Sequence, residues 1–256
     1  MPIKILSQGL IDPLGLFVSI DGDIYVDNGQ SNGRVDKWTP NATNSTVAMY
    51  VNEKCWSLFV DIYENIYCSL QNRHRVIKRS FNDNVNTTIN VAGNGIGGST
   101  LNMLRSPRGI FVDFNLNLYV ADGGNNRILM FRSGQLNGIR ITTGTILLNT
   151  PRGIVLDGDG YLFIADSDNH RIIGSDHNGF RCIIGCSQVT GNRSDLLNLP
   201  YGLSFDSYGN LFVVDTLNNR IQKFLVTKLS GKCTEGFDAS RSIEGKFRIE
   251  TIYGQE

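Results

Sequence analysis

The chain has 256 residues, 41% of them hydrophobic, which is enough to bury one large core or two small ones. Its 24 basic and 24 acidic residues cancel, and this neutral balance argues against a protein built to hold nucleic acid or an anionic membrane. It also contains no apolar run of the roughly 20 residues that a membrane-spanning helix needs.

Five similar segments follow one another along the chain, and each is opened by Pro-x-Gly or a variant of it. They begin at Pro13, Cys55, Pro107, Pro151 and Pro200. The third segment shows the pattern most clearly, with strands predicted at 109–113, 118–122 and 127–132. A repeat of roughly 40–50 residues with several strands per copy is typical of β-propeller blades, so we predict an all-β propeller.

The turn between the first two strands of a copy begins with aspartate in four of the five copies: Asp61, Asp113, Asp157 and Asp206. A short carboxylate accepts the backbone N–H two residues on, and glycine supplies the positive φ that closes such a turn. Copies two and three lack this glycine. We expect Asn65 and Asn117 to take the left-handed conformation there, since asparagine tolerates it.

A weaker fourth strand is predicted in copies one to four, at residues 47–51, 87–93, 139–145 and 181–187. Copy five has no clear fourth strand, and residues 3–9 resemble residues 88–93 in pattern. We therefore expect residues 3–9 to pair with the fifth blade and close the ring, which removes a free sheet edge. The propeller domain then spans 1–226, and 227–256 form an appendix, partly disordered or with one extra strand near 247–253. The alternative is a truncated ring that lacks a sixth blade.

Three loops carry the most specific motif of the chain: DGGNNRI, DSDNHRI and DTLNNRI, which begin at Asp122, Asp166 and Asp215. Each follows a Pro-x-Gly and a hairpin, and in this arrangement the chain resembles NHL repeats over roughly residues 3–226. Copies one and two are degenerate versions. The resemblance implies an NHL-type propeller with five visible four-stranded blades. It says little about function, because NHL propellers occur in ubiquitin ligases, receptor kinases and an amidating lyase.

The repeats provide an internal control for judging single residues. A residue that recurs in the blades most simply serves the blade, whereas one that varies at an equivalent exposed position is a better functional candidate. By this test the recurring aspartate–arginine pairs of the loops are structural. These pairs are Asp122 with Arg127, Asp166 with Arg171, and Asp215 with Arg220.

The Pro-x-Gly motifs and the aspartate loops lie at the same end of a four-stranded meander, and we call this end the mouth face. The middle residues of the five opening motifs are Leu14, Trp56, Arg108, Arg152 and Tyr201. They vary between copies, and Trp, Tyr and Arg are enriched at binding hot spots. Together with the loop residues His74 and His170 they form the predicted partner-binding surface. The alternative is that they cover the tops of neighbouring blades.

An enzymatic function is the main alternative, since amidating lyases that share the resemblance use a histidine-bound zinc ion. A catalytic zinc normally takes three protein ligands. His74 and His170 are predicted on the mouth face and His177 at the opposite end, so the three histidines do not converge. We predict no catalytic residue, metal or cofactor, and a non-catalytic scaffold for a protein or peptide. A lyase-like or lactonase-like metal enzyme and an RNA-binding domain remain the alternatives.

Cys55 replaces the opening proline of the second copy, and Cys68 ends the next strand of the same hairpin. The two cysteines therefore fall within the Cα separation of about 4.4–6.8 Å that a disulfide needs, and we predict that they pair. Cys182 and Cys186 form a second predicted pair, and no partner is predicted for Cys233, the fifth cysteine.

Four sequons, at Asn41, Asn44, Asn86 and Asn192, mark possible N-glycosylation sites in predicted loops. Together with two disulfides they favour an extracellular location. The first 15 residues show no long apolar stretch of a secretory signal. We reconcile the two observations with an extracellular domain, or one on the extracellular side of a membrane protein, that belongs to a longer parent chain or has a wrongly assigned start.

Overall fold

The computed structural model describes residues 10–29, 33–226 and 247–252, which form five antiparallel sheets of four strands each. Blade one contains β1 (Leu16–Val18), β2 (Ile24–Asp27), β3 (Arg34–Trp38) and β4 (Thr46–Tyr50). Blade two contains β5 (Ser57–Val60), β6 (Ile66–Leu70), β7 (Arg75–Arg79) and β8 (Ile89–Ala92). Blade three contains β9 (Pro107–Val112), β10 (Leu118–Asp122), β11 (Arg127–Phe131) and β12 (Ile139–Ile141).

Blade four contains β13 (Pro151–Leu156), β14 (Leu162–Asp166), β15 (Arg171–Asp176) and β16 (Gly179–Ile184). Blade five contains β17 (Pro200–Phe205), β18 (Leu211–Asp215), β19 (Arg220–Val226) and β20 (Phe247–Ile252). In every sheet the strands are hydrogen-bonded in chain order. The inner strands β1, β5, β9, β13 and β17 lie next to one another in that order, which confirms the all-β propeller with five visible blades.

Apolar side chains fill the spaces between neighbouring blades. Between blades two and three, for example, Tyr67 and Val76 pack with Ile110, Val112 and other residues of blade three. Each sheet therefore buries both faces when it has a blade on either side, and the core of the molecule consists of these inter-blade layers.

The glycine of the opening motif has a packing role that its sequence pattern does not reveal. A Cβ on Gly109 would collide with the carbonyl oxygen of Arg152, and one on Gly153 with that of Tyr201. The inner strands of neighbouring blades therefore approach each other closely at their mouth ends. The residue between proline and glycine is carried to the same place, beside the channel.

The tight turns follow the predicted chemistry, with one correction. Asp61 Oδ1, for example, accepts the backbone N–H groups of Tyr63 and Asn65, at 2.9 and 3.0 Å. The left-handed residue of this turn is Glu64, with φ 59°, and not Asn65 as expected. Asn65 instead donates its side-chain amide to the Asp61 carboxylate at 2.8 Å.

Blade three repeats this correction. Leu116 takes the positive φ of 61°, and Asn117 donates its side-chain amide to Asp113 at 2.9 Å. Asparagine is therefore placed in these turns for its amide hydrogen bond rather than for its backbone freedom.

The outer strands β4, β8, β12 and β16 lie within a few residues of the predicted fourth strands. In blade five the outer place is occupied by β20, which pairs antiparallel with β19. Residues 3–9, which we expected to take this place, lie outside the described residues. Within the described residues, no helix is long and apolar enough to cross a membrane.

The two terminal blades each leave one apolar face uncovered. On blade one, Leu16 and Val18 are 59% and 54% exposed. On blade five, Val214 and Ile221 are 40% and 46% exposed. The equivalent residues of the inner blades are buried: Leu58, Val60, Ala165 and Ile172. Among the described residues, blades one and five therefore lack the packed neighbour that every inner blade has on both sides.

Candidate functional site: a cationic and aromatic cluster at the mouth face

The aspartate–arginine pairs connect each blade to the chain segment that precedes it. Asp122, Asp166 and Asp215 are fully buried, and each lies 2.7–2.8 Å from the Nε of the arginine five residues on. Arg127 also donates to the backbone carbonyls of Thr100 and Met103, at 2.9 and 3.0 Å. A carboxylate and a guanidinium that are both satisfied in this way hold the loop and the inter-blade connection in a single arrangement.

His74 and His170 are used between blades. The Nδ1 of His74 accepts the backbone N–H of Ser106 at 3.1 Å, and that of His170 accepts the N–H of Leu199 at 3.2 Å. Both donors lie just before the opening proline of the next blade. This geometry gives the two histidines a structural role in the connection between blades, and their predicted place in the partner-binding surface stays a prediction.

Four of the five variable residues of the opening motifs form one cluster, which we call the mouth cluster. The Arg108 guanidinium carbon lies 5.3 Å from the centre of the Trp56 ring, and that of Arg152 lies 5.6 Å from the centre of the Tyr201 ring. All four side chains are half-buried. Leu14, the fifth variable residue, is 37% exposed and takes no part in these stacked pairs.

The mouth cluster places the positive charges of Arg108 and Arg152 close together. Burial, together with the charge of Arg108, lowers the pKa of the Arg152 guanidinium, and Asp168 opposes this effect from 3.6 Å away. Burial raises the pKa of the Tyr201 hydroxyl, although the nearby Arg108 charge acts in the opposite direction. The two arginines are thus close enough to repel each other, a situation that an added anion would relieve.

Two features of the molecule, one at the mouth cluster and one away from it, were not found from the sequence. One is Asp168, whose carboxylate approaches Arg152 and whose loop position gives no distinguishing signal. The other is a cavity of about 690 Å³ at the opposite end of the inner strands, lined by the turns of blades one to four. The sequence signal for this cavity lay in the turns between the first two strands of each copy, which we did not compare with one another.

The described residues contain no group of three or more His, Cys, Asp or Glu side chains arranged to hold a metal ion. His177 is exposed, and its Nε2 lies 3.0 Å from the side-chain amide of Asn178. No ligand set for a channel metal is therefore present in the part of the chain that the structure describes.

The cysteines and sequons lie away from the mouth cluster. Cys55 and Cys68 form one disulfide and Cys182 and Cys186 a second, with Cα separations of 5.4 and 5.6 Å, as predicted. Cys233 lies outside the described residues. The four sequon asparagines are exposed: Asn41, Asn44, Asn86 and Asn192.

Comparison with known families decides the type of repeat. The NHL repeat family matches residues 148–174, which cover β13, β14 and the loop that carries Asp166 and Arg171. The other four sheets repeat the same architecture. The chain is a β-propeller of NHL repeats.

Solved structures similar to this NHL propeller include enzymes and a protein of unknown function. A streptogramin B lyase is 15% identical with a TM-score of 0.65, covering 96% of this chain and 71% of its own. A virginiamycin B lyase from Staphylococcus aureus is 13% identical with a TM-score of 0.61, covering 94% and 70%. A structural genomics protein of unknown function from Bacteroides thetaiotaomicron is 15% identical with a TM-score of 0.64, covering 86% and 56%.

No curated protein matches the sequence significantly. At identities this low the structural likeness establishes the shared fold alone, and no reaction is transferred to this chain.

Proposed function

We propose that this NHL propeller is a non-catalytic binding module that holds a protein or peptide partner at its mouth face. The observation that carries the proposal is the mouth cluster, in which two half-buried guanidinium groups each stack on an aromatic ring. Such stacking keeps arginine rigid and dehydrated, and arginine and aromatic residues dominate the energetics of protein interfaces.

The chemistry of the cluster favours an anionic group on the partner. The Nε atoms of Arg108 and Arg152 are both buried and have no hydrogen-bond partner among the described residues. A carboxylate can accept two parallel hydrogen bonds from the terminal N–H groups of one guanidinium, and its charge would offset the repulsion between the two arginines. We therefore propose that an acidic side chain or a free peptide C-terminus of the partner binds between the two arginines.

A peptide-display selection against the intact protein tests this proposal. Selected peptides are expected to be rich in Asp, Glu or a required C-terminal carboxylate. The double variant Arg108→Gln/Arg152→Gln should then weaken binding of the best peptide at least tenfold, because two charge-assisted contacts are lost. Arg132→Gln/Arg140→Gln removes the same charge from exposed positions of blade three and is the matched control.

Equal binding by the two double variants would contradict the proposal, and so would a selection that yields no peptide with an acidic requirement. Thermal unfolding of each variant, compared with the wild type, establishes that a loss of binding does not reflect a loss of fold.

We also propose an oxidising, extracellular location for the domain. The two disulfides and the exposure of all four sequon asparagines support it. Expression through the secretory pathway should give a protein whose mass falls when N-linked glycans are removed enzymatically. A secreted protein with no change in mass would contradict the glycosylation part of the proposal.

A further inference from the structure

A second surface lies at the end of the inner strands opposite the mouth face, where the turns of blades one to four surround a cavity of about 690 Å³. We call it the basin. One wall is a row of three phenylalanines from consecutive inner strands, Phe17, Phe59 and Phe111, with neighbouring ring centres 4.9 Å apart. The volume lies within the range of about 300–1,000 Å³ that is usual for ligand sites.

The rim of the basin carries exposed apolar side chains in three successive blades. Ile20, Ile62 and Phe114 occupy the same place, directly after the first residue of the turn, and are 102%, 59% and 84% exposed. Blades four and five have Gly158 and Ser207 at this place.

The turn itself does not require these apolar residues. In blades four and five, Asp157 and Asp206 accept the backbone N–H groups of Asp159 and Tyr208 at 3.0 Å, the same capping as in blades two and three. Folding therefore gives no reason for a large apolar side chain at the tip, and such exposed groups mark interaction surfaces.

The charged side chains that line the basin are all acidic. Its lining includes seven carboxylate side chains and no Lys, Arg or His. Asp23 is neutralised by Lys37 at 2.6 Å. The other six carboxylates form no ion pair with any residue in the described ranges: Asp21, Asp61, Glu64, Asp113, Asp157 and Asp159. Like charges around a concave apolar surface concentrate a negative potential there.

We propose that the basin is a binding site for a cationic, amphipathic peptide segment of a partner protein. Apolar side chains of the segment pack against the phenylalanine wall and the exposed tips at Ile20, Ile62 and Phe114. Its Lys or Arg side chains face the acidic rim, where opposite charge favours encounter and orientation. The basin is acidic and the mouth cluster is basic, so the two surfaces favour different ligands. The proposal for the basin therefore does not depend on the function proposed for the mouth face.

The test uses a fluorescent 14-residue peptide of Lys, Leu and Trp and the intact protein, in 150 mM salt to suppress diffuse attraction. Two matched peptides replace every Lys with Glu, or every Leu and Trp with Ser. The Lys/Leu/Trp peptide is expected to bind at least tenfold more tightly than either. Ile62→Ser/Phe114→Ser, which installs the small residue of blade five, should weaken its binding at least tenfold.

Tyr208→Ser is the matched control, because Tyr208 is an 84% exposed turn residue of blade five that does not line the basin. Asp21→Asn/Asp159→Asn should weaken binding and flatten its dependence on salt. The proposal is overturned if the Ser-substituted peptide binds as tightly, which would indicate charge attraction alone. It is also overturned if Ile62→Ser/Phe114→Ser and Tyr208→Ser bind equally, or if no peptide binds to the folded protein.

Discussion

Arg34 forms its ion pair with Asp36, with Nε and Oδ1 2.8 Å apart, and blade one has Asn28 at the position of the repeat's aspartate. Asp27 stands at the end of β2, at the position that Ala121 has in blade three, and it is fully buried. It accepts the backbone N–H of Cys55 at 3.1 Å but forms no ion pair with any described residue. Blade one thus buries a carboxylate at a position where the other four blades have serine, alanine or valine.

The isolated Asp27 should make stability depend on pH. Burial raises the pKa of its carboxyl from 3.8 to about 6. The folded state therefore holds this proton more tightly than the unfolded state, and the free energy of unfolding falls as pH rises from about 4 through 6. We compare the free energy of unfolding of Asp27→Asn with that of the wild type at two pH values. Raising the pH from 4 to 8 should shift this difference in favour of the variant by on the order of 1–2 kcal/mol. Urea unfolding at both pH values measures this difference, and an equal difference at pH 4 and 8 would disprove it.

Asp122→Asn should have the opposite effect on stability. The Arg127 guanidinium lies 2.7 Å from this carboxylate and is itself buried, so neutralising Asp122 leaves a buried cation without its counter-charge. A loss of about 3 kcal/mol in the free energy of unfolding is expected at pH 7. Asp27→Asn is the control, since it neutralises another fully buried aspartate that forms no ion pair with any described residue. Similar effects of the two substitutions would show that the pair does not stabilise the blade.

The uncovered face of blade five predicts an asymmetry between equivalent isoleucines. Ile172 is fully buried between blades four and five, whereas Ile221 is 46% exposed. Ile172→Ala should destabilise by about 2–5 kcal/mol, and Ile221→Ala by less than about 1 kcal/mol. Equilibrium unfolding of both variants measures this. Equal losses would mean that Ile221 is covered in solution, by another part of the protein or by a second copy.

Reduction of the disulfides should lower stability in two unequal steps. The bridge between Cys55 and Cys68 joins residues 13 apart and that between Cys182 and Cys186 joins residues four apart. Chain entropy predicts about 3 kcal/mol for the longer loop and about 2 kcal/mol for the shorter. Cys55→Ser/Cys68→Ser and Cys182→Ser/Cys186→Ser, compared by thermal unfolding, check the order. Peptide mapping without reductant that finds either pair as free thiols would contradict the pairing itself.

The features that the sequence predicted well are those decided by near neighbours in the chain. The alternation of strand and turn, the aspartate caps of the turns and the hairpin pairing of Cys55 with Cys68 all follow from local chemistry. The roles of Asn65 and Asn117 were wrong because two local explanations compete for asparagine in a turn. The sequence does not show whether its amide or its backbone freedom is used. The mouth cluster was predicted as a ring of residues, but the stacking of Arg108 on Trp56 was not.

By itself, the sequence determined the repeat, its period and the chemistry placed at each turn and loop, because these depend on contacts within one blade. The tertiary structure alone decided what depends on contacts between blades. Packing between blades places Gly109 against the carbonyl oxygen of Arg152 and brings the side chains of Arg108 and Arg152 near each other. It also places carboxylates from four blades around one cavity, and it leaves one face each of blades one and five uncovered. A single blade has no channel and no basin, since both arise from the angle at which successive sheets pack around an axis.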